Sequence, residues 1–533
     1  MNRPWVDRLA LAALGSMVLA VALATRPLLP VDETRYVSVA WEMWTRGAFL
    51  VPWLNGAPYA HKPPLLFWLI QAGWALFGVN AWWPRLVAPL AGLACLVLTA
   101  RLAQALWPEV PAMRREAPWL LFGTLFFAVF ATFVQFDLLL TACVLLGLLG
   151  LVRAARGARG GFALLALGLG LGGLAKGPVV LLHVLPAGLL AAGWTAAGRR
   201  WRWYAGLVAA VAGGAALALA WAIPAAQAGG PAYREAIFWG QTAGRVVQSF
   251  AHRQPWWWYL PRLPLLVLPW LLWRALWSRP VPATGGPVAP YRFLAAWLVP
   301  VLVGFSLVSG KQLKYLLPLL PGAALWGSAV LAGARRPVGA RGALVLTLAL
   351  GGGLLGLLPA YGAHRQVALL AALPAWPGAL LAAAALGVGL AWRPAQPAAA
   401  VRGLALGTAL LVVVAHLGPV RRLAPAYDLE GFARALGRAQ AAGATLAHVG
   451  KYHGQFHFLG RLRRPLVVLS ARQAAAWARR HPRALVVAYR KRFSPPLPVE
   501  GALRVQDYRG EAAGLMLWRA ADLAAVLAQR REG

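Results

Sequence analysis

Long apolar runs recur along this sequence, with short arginine clusters between them, and such a chain has few places to fold other than a lipid bilayer. Many of the runs reach the ~20 residues needed to cross the hydrocarbon core. A soluble core does not accommodate repeated runs of that length. The composition agrees, with 60% hydrophobic and only 13% charged residues, where a soluble domain has about a quarter charged.

The formal charge of +37 would ordinarily raise nucleic acid as a partner. Here the basic residues are not gathered into one domain or face. Arg153, Arg156 and Arg159 form one cluster, Arg199, Arg200 and Arg202 a second, and Arg335, Arg336 and Arg341 a third, while Arg393 and Arg402 flank a fourth gap. That is the positive-inside pattern of a membrane protein. With neither an RNP nor a zinc-finger pattern, no nucleic-acid partner is expected. Cys95 and Cys143 lie inside apolar runs and read as small buried side chains rather than a disulfide or zinc pair.

The lengths and charged gaps predict about 13 spanning helices. They fall near 9–29, 82–106, 117–135, 137–153, 160–175, 177–196, 203–227, 260–277, 292–309, 312–333, 342–361, 366–391 and 402–420. The first resembles a cleavable signal peptide, but the many spans after it favour an anchored helix. With the N-terminus in the cytoplasm, alternation puts every arginine cluster inside. It puts the loops 30–81 and 228–259, and everything after about 421, outside. The expected organisation is a transmembrane domain over 1–420 and a small α/β domain over 421–533. A multi-pass protein of a bacterial inner membrane follows, its active site and C-terminal domain facing the periplasm. Loop 30–81, with Trp41, Trp44, Trp53, Trp68 and Trp74, predicts short surface helices at 35–46 and 64–78. In the tail, strand-length runs at Pro465–Ser470 and Ala484–Tyr489 alternate with helical stretches at 429–442 and 471–480.

Acidic residues are scarce, so each is informative. Between Met43 and Tyr427 there are only Glu109, Glu116, Asp137 and Glu235. Asp32 and Glu33 follow the first helix at the outer surface. A carboxylate there could act as a general base or bind a metal, and equally Asp32 could cap the next helix. Asp137 falls at the outer end of two spans, where an ionisable group is a functional candidate by default. Of six lysines, Lys62, Lys176, Lys311 and Lys314 all fall on the outer side, against the positive-inside trend. Bound phosphate is one reason, and snorkelling to lipid headgroups is the other. His61 and His252 are candidates for a divalent metal or for phosphate, with a plain polar loop role open for each. No HExxH, P-loop, GxSxG or GxGxxG context appears.

The ordered set Asp32-Glu33-Thr34-Arg35-Tyr36, His61-Lys62-Pro63-Pro64-Leu65, Phe136-Asp137, Lys176-Gly177-Pro178, Phe238-Trp239 through Arg245, His252 to Pro261, and Lys311-Gln312-Leu313-Lys314-Tyr315 resembles the aminoarabinose transferase and protein-mannosyltransferase group. These are polyprenyl-phosphate-sugar-dependent glycosyltransferases of the GT-C fold. The resemblance implies an all-α polytopic GT-C membrane domain with a small periplasmic α/β domain. It implies Asp32 as the catalytic carboxylate and Asp137 as a second acid of the cavity. Arg35 and Lys62 would contact the lipid phosphate, with Glu33, Tyr36, Lys176, Arg245, Lys311 and Lys314 as further substrate-binding positions. The donor would be a polyprenyl-phosphate-linked sugar and the acceptor a lipid or a protein, with a divalent metal an open point. One departure is His61-Lys62-Pro63 where the aminoarabinose transferases have Glu-Lys-Pro, which removes a carboxylate from that point. The competing class is a transporter or flippase of a lipid-linked saccharide. It would show paired repeats and broken helices near the midplane, whereas the polar candidates here gather at one face.

Overall fold

A computed structural model describes residues 4–240, 253–282 and 286–532. Among them, eight helices are long and apolar enough to cross a membrane: Trp5–Thr25, Trp82–Leu106, Asp137–Ala155, Trp201–Gly229, Pro290–Leu307, Leu313–Ala332, Ala340–His364 and one starting at Pro397. Shorter apolar helices include Leu65–Phe77, Gly161–Lys176, Val179–Leu189 and Trp376–Ala391. The chain is a multi-pass membrane protein.

By its contacts the chain forms two compact units. The first comprises 1–24, 60–357 and 374–418, and the second 25–59, 358–373 and 419–533. The second unit therefore takes in the first half of the expected outer loop, Asp32 included, as well as the tail.

In the first unit, several expected spans are not single regular helices; 117–135, for one, is divided between Pro111–Phe122 and Leu125–Phe130. Residues 256–277 run as short turns, Trp256–Arg262, Leu263–Leu266, Trp270–Leu272 and Arg274–Trp277. Pro261, Pro264 and Pro269 remove backbone donors and block the preceding turns. Irregular backbone at membrane depth persists only where protein satisfies it. Here Leu268 O accepts from Leu125 N at 2.8 Å, and Pro269 O from Leu272 N at 2.9 Å, while the Trp270 and Trp273 indoles tie the segment to Leu120 O and Val338 O. The expected span 177–196 holds the eleven-residue helix Val179–Leu189 followed by the short turn Ala191–Gly193.

A glycine seam sets the most consequential helix pair. Helices Asp137–Ala155 and Gly161–Lys176 run antiparallel with backbones nearly touching. A Cβ at Gly168 would lie 2.5 Å from the Gly147 nitrogen, and one at Gly150 would lie 2.6 Å from the Leu165 nitrogen. Small residues permit this approach in lipid, where packing replaces the hydrophobic drive. The antiparallel turn returns the last residue of the second helix, Lys176, to the first residue of the other, Asp137.

In the second unit, five strands form a mixed sheet in the order β4-β3-β5-β7-β6. They are β3 (Leu446–Val449), β4 (Val467–Leu469), β5 (Leu485–Tyr489), β6 (Arg504–Tyr508) and β7 (Glu511–Arg519), after a two-strand hairpin of β1 (Trp53–Leu54) and β2 (Ala57–Pro58). β3 pairs in parallel with β4 and β5, and β7 is antiparallel to β5 and β6. The strands alternate faces with period two. Ala447, Val486, Ala488, Met516 and Trp518 pack with Ala474, Ala478 and Leu523 of the helices Ala471–Arg480 and Ala520–Glu532. Leu446, Val487, Leu515 and Leu517 pack with Phe432 and Leu436 of the helix Glu430–Ala441. The sheet is thus covered on both sides. The helix Asp32–Arg46 joins this body through Trp41 Nε1, which donates to Leu462 O at 2.8 Å, and Ser38 Oγ, which accepts from Phe458 N at 3.0 Å.

Candidate functional site

The Asp32 helix begins at Asp32 itself. Its N-cap is Val31, whose backbone is already helical and which makes no side-chain capping bond. The capping alternative for Asp32 therefore does not apply. Its carboxylate is half exposed and pairs with Arg35 one turn on. The Arg35 guanidinium lies 5.4 Å from the centroid of the buried Tyr36 ring. A base held by a cation that could itself meet a phosphate is a chemically versatile pair.

Glu33 has a different place. It is buried, and both its oxygens face the buried Arg26, with Arg26 Nη2 to Oε1 at 3.1 Å and Nη1 to Oε2 at 2.5 Å. Oε2 also accepts the Leu29 N–H at 2.8 Å. Glu33 thus fixes the entry of the chain into the Asp32 helix, which replaces the expected substrate contact with a structural one. Arg26 was missed by sequence reasoning. A signal was there, since it is one more basic residue on the expected outer flank of the first span, against the charge trend.

The first unit gathers its own group. Asp137 is buried and pairs with Lys176 across the glycine seam. The ends of the two helices favour this, since an anion is stabilised at a helix N-terminus and a cation at a C-terminus. Lys176 Nζ also lies 4.8 Å from the Tyr315 ring centroid, and Lys62 Nζ lies 5.6 Å from the ring of Phe136, the neighbour of Asp137. Lys176 thus meets both Asp137 and Tyr315, and Lys62 lies over the ring next to Asp137, with Lys314 adjacent in sequence to Tyr315 in the turn Leu313–Leu319. Tyr315 was missed as a separate candidate.

Asp137 is held by a cation as Asp32 is, and it stays the second acid of the candidate site. Lys311 departs further from expectation. It is almost wholly buried and donates to the carbonyls of Val308 and Gln254, the latter at 3.1 Å. Burial lowers its pKa. It caps backbone carbonyls in place of the expected phosphate. Arg245 and His252 lie outside the described residues. His61 is exposed in the turn before the helix Leu65–Phe77. Among the described residues, no three His, Cys, Asp or Glu side chains gather to hold a metal ion.

Comparison with known proteins adds the following. Residues 61–225 match the family model described as dolichyl-phosphate-mannose-protein mannosyltransferase. An undecaprenyl phosphate-alpha-4-amino-4-deoxy-L-arabinose arabinosyl transferase of Pseudomonas fluorescens is 33% identical over 67% of this chain and 65% of its own length. A protein of the same name from Pseudomonas aeruginosa is 33% identical over 62% of this chain and 60% of its own. The chain thus spans just under two thirds of the length of these relatives. The crystal structure of ArnT from Cupriavidus metallidurans bound to undecaprenyl phosphate shares the fold, with a TM-score of 0.76 at 20% identity, covering 96% of this chain and 97% of that one. The fold is therefore the expected GT-C fold with a small C-terminal sheet domain, and the resemblance to the aminoarabinose transferases holds.

Proposed function

We propose that this protein is a glycosyltransferase that moves a sugar from a polyprenyl-phosphate carrier, of the undecaprenyl-phosphate type, to a lipid A-type or other envelope acceptor. The reaction takes place at the periplasmic face of the bacterial inner membrane. The single observation that most supports this reading is the Asp32–Arg35 pair on the outer segment after the first helix. The names of the similar transferases and the arginine clusters on the opposite side of the spans support it further.

The chemistry follows from the pair. In the resting protein Arg35 holds the Asp32 carboxylate. When a donor phosphate arrives, it competes for the Arg35 guanidinium and releases Asp32. The acceptor hydroxyl then gives its proton to Asp32 as its oxygen attacks the anomeric carbon. The bond from that carbon to the phosphate oxygen breaks, and the polyprenyl phosphate leaves with the electron pair. Arg35 offsets the charge that grows on it. In the first unit, Lys176, held by Asp137, and Lys62 are cations of the kind that suit a phosphate.

The test is transfer by purified protein in lipid vesicles, with a panel of undecaprenyl-phosphate sugars as donors and lipid A or envelope extract as acceptor. Release of undecaprenyl phosphate together with a product heavier by one sugar is expected for at least one donor. Movement of intact donor across the vesicle without release would overturn the reading.

A further inference from the structure

The loop after β3, Gly450-Lys451-Tyr452-His453-Gly454-Gln455, takes no part in the reading above, yet it is built against the Asp32 helix. Two glycines with positive φ bracket it, at +94° for Gly450 and +77° for Gly454. A Cβ at Gly454 would lie 2.4 Å from Leu54 Cδ1 and 3.4 Å from Ser38 Cβ, so the loop rests on the hairpin and on the Asp32 helix. A Cβ at Gly450 would lie 1.7 Å from Arg492 Nη1, so the Arg492 guanidinium lies directly over the loop backbone. Its other side faces the Tyr489 ring, 5.2 Å from the centroid. Beneath the loop, buried polar groups fix its shape. His448 Nδ1 donates to Gly450 O at 3.0 Å, and Gln455 Nε2 donates to Tyr489 Oη at 2.9 Å. The Gln455 Oε1 accepts the His453 N–H at 3.0 Å, and Tyr452 Oη meets His457 Nδ1 at 2.7 Å.

The charges in this neighbourhood are unbalanced. The groups that act on the His453 imidazole are Arg35, Lys451, Asp32 and Arg492. One of the four is an acid, and it is already paired with Arg35. Burial first, and then the charges of Arg35 and Lys451, lower the His453 pKa. Lys451 and Arg492 are exposed. Lys491, next in the chain, has Glu511 as partner at 3.4 Å. A loop held rigid from below, with cations above and an acid that is taken, is a place prepared for an anion.

We infer that the Gly450–Gln455 loop and Arg492 form a phosphate-binding wall beside the Asp32–Arg35 pair, with Lys451 and Arg492 as the anion contacts and His453 as a hydrogen-bonding group between them. The inference rests on the glycosyltransferase reading for the identity of the phosphate, not for its existence. Two ligands of that reading could present one, the lipid monophosphate of the donor carrier and a phosphate on the acceptor.

Binding to full-length protein in detergent separates them. The probes are undecaprenyl phosphate and bisphosphorylated lipid A, titrated against wild type, Lys451→Ala, Arg492→Ala and Arg492→Lys. Arg479→Ala, which removes a charge from an exposed helix of the same domain, is the control. Loss of a charge-assisted contact weakens binding by about 10-fold or more. Such a loss for lipid A alone assigns the wall to the acceptor phosphate, and a loss for undecaprenyl phosphate alone assigns it to the donor. Arg492→Lys should retain more affinity than Arg492→Ala. If Lys451→Ala and Arg492→Ala bind both lipids as the Arg479→Ala control does, the inference fails. The readout is binding, so absence of sugar transfer would sink the function while leaving this test standing.

Discussion

Replacing Asp137 by Asn leaves a lysine charge nearly buried with no counter-charge, and the size of the effect can be worked out. The Asp137 and Lys176 side chains are 5% and 11% exposed. At ~3 Å and an effective dielectric of ~20, their attraction is about 5 kcal/mol. Desolvation of two ions cancels much of that, so the pair as a whole contributes little net stability. Removing one member is different, because the remaining ion keeps its desolvation penalty and loses the attraction. Asp137→Asn and Lys176→Met should each destabilise by about 3–5 kcal/mol, while the charge-free double variant Asp137→Leu/Lys176→Met should return to within about 1 kcal/mol of wild type. Unfolding in detergent micelles, followed by intrinsic fluorescence across a denaturant series, measures all four proteins. Two silent single variants, or a double variant that merely adds two losses, would refute the pairing.

The other expectations are more direct. Gly168→Leu should separate the two seam helices, costing at least ~1–3 kcal/mol by overpacking and weakening undecaprenyl phosphate binding if Lys176 is displaced. Unchanged stability would contradict the backbone contact. Glu33→Ala should destabilise by about 3–5 kcal/mol, since it takes the carboxylate from a buried guanidinium. Hydrogen exchange over residues 25–46 should rise with it, and unchanged protection there would count against the entry lock. His448 and His457 are pushed down to about 4 by burial, against ~6.5 unfolded. The unfolded chain therefore binds more protons between those values, so their stability contribution is present above ~6.5 and is lost as pH falls towards 4. The loss is on the order of 3 kcal/mol per histidine. Exchange protection of β3 and of residues 455–460 should fall over that window, and a flat profile would show the imidazoles to be solvated.

The membrane domain was legible because its signals are long-range in composition and short-range in sequence. The helices Trp82–Leu106, Asp137–Ala155 and Trp201–Gly229 fall within a few residues of expectation. Residues 256–277 did not follow because apolar length masked three prolines whose effect is on backbone donors, not on hydropathy. Strands β3, β6 and β7 were not anticipated. β6 has an exposed edge and lacks a clean alternation, and β3 is a short run followed by the polar loop Gly450–Gln455.

At the candidate site, scarcity of acids pointed to Asp32 and Asp137, and lysine placement to Lys62 and Lys176. What sequence spacing could not carry was the pairing state. Glu33 looks equivalent to Asp32 on paper, but one faces Arg26 inside the unit and the other faces Arg35 near the surface. Lys311 and Lys314 look alike too, yet Lys311 bonds carbonyls of Gln254 and Val308. Partners separated by many residues, such as Asp137 with Lys176, emerge only when the glycine seam brings the helices together.

The most direct test compares sugar transfer by wild type and Asp32→Asn in lipid-reconstituted protein, at saturating donor. Undecaprenyl phosphate release and donor binding are measured on the same preparations. With Asp32 as the base, Asp32→Asn should bind undecaprenyl phosphate at least as tightly as wild type, because Arg35 is no longer held, while transfer falls by ~100-fold or more. Transfer at the wild-type rate by Asp32→Asn, with binding intact, would contradict the central assignment.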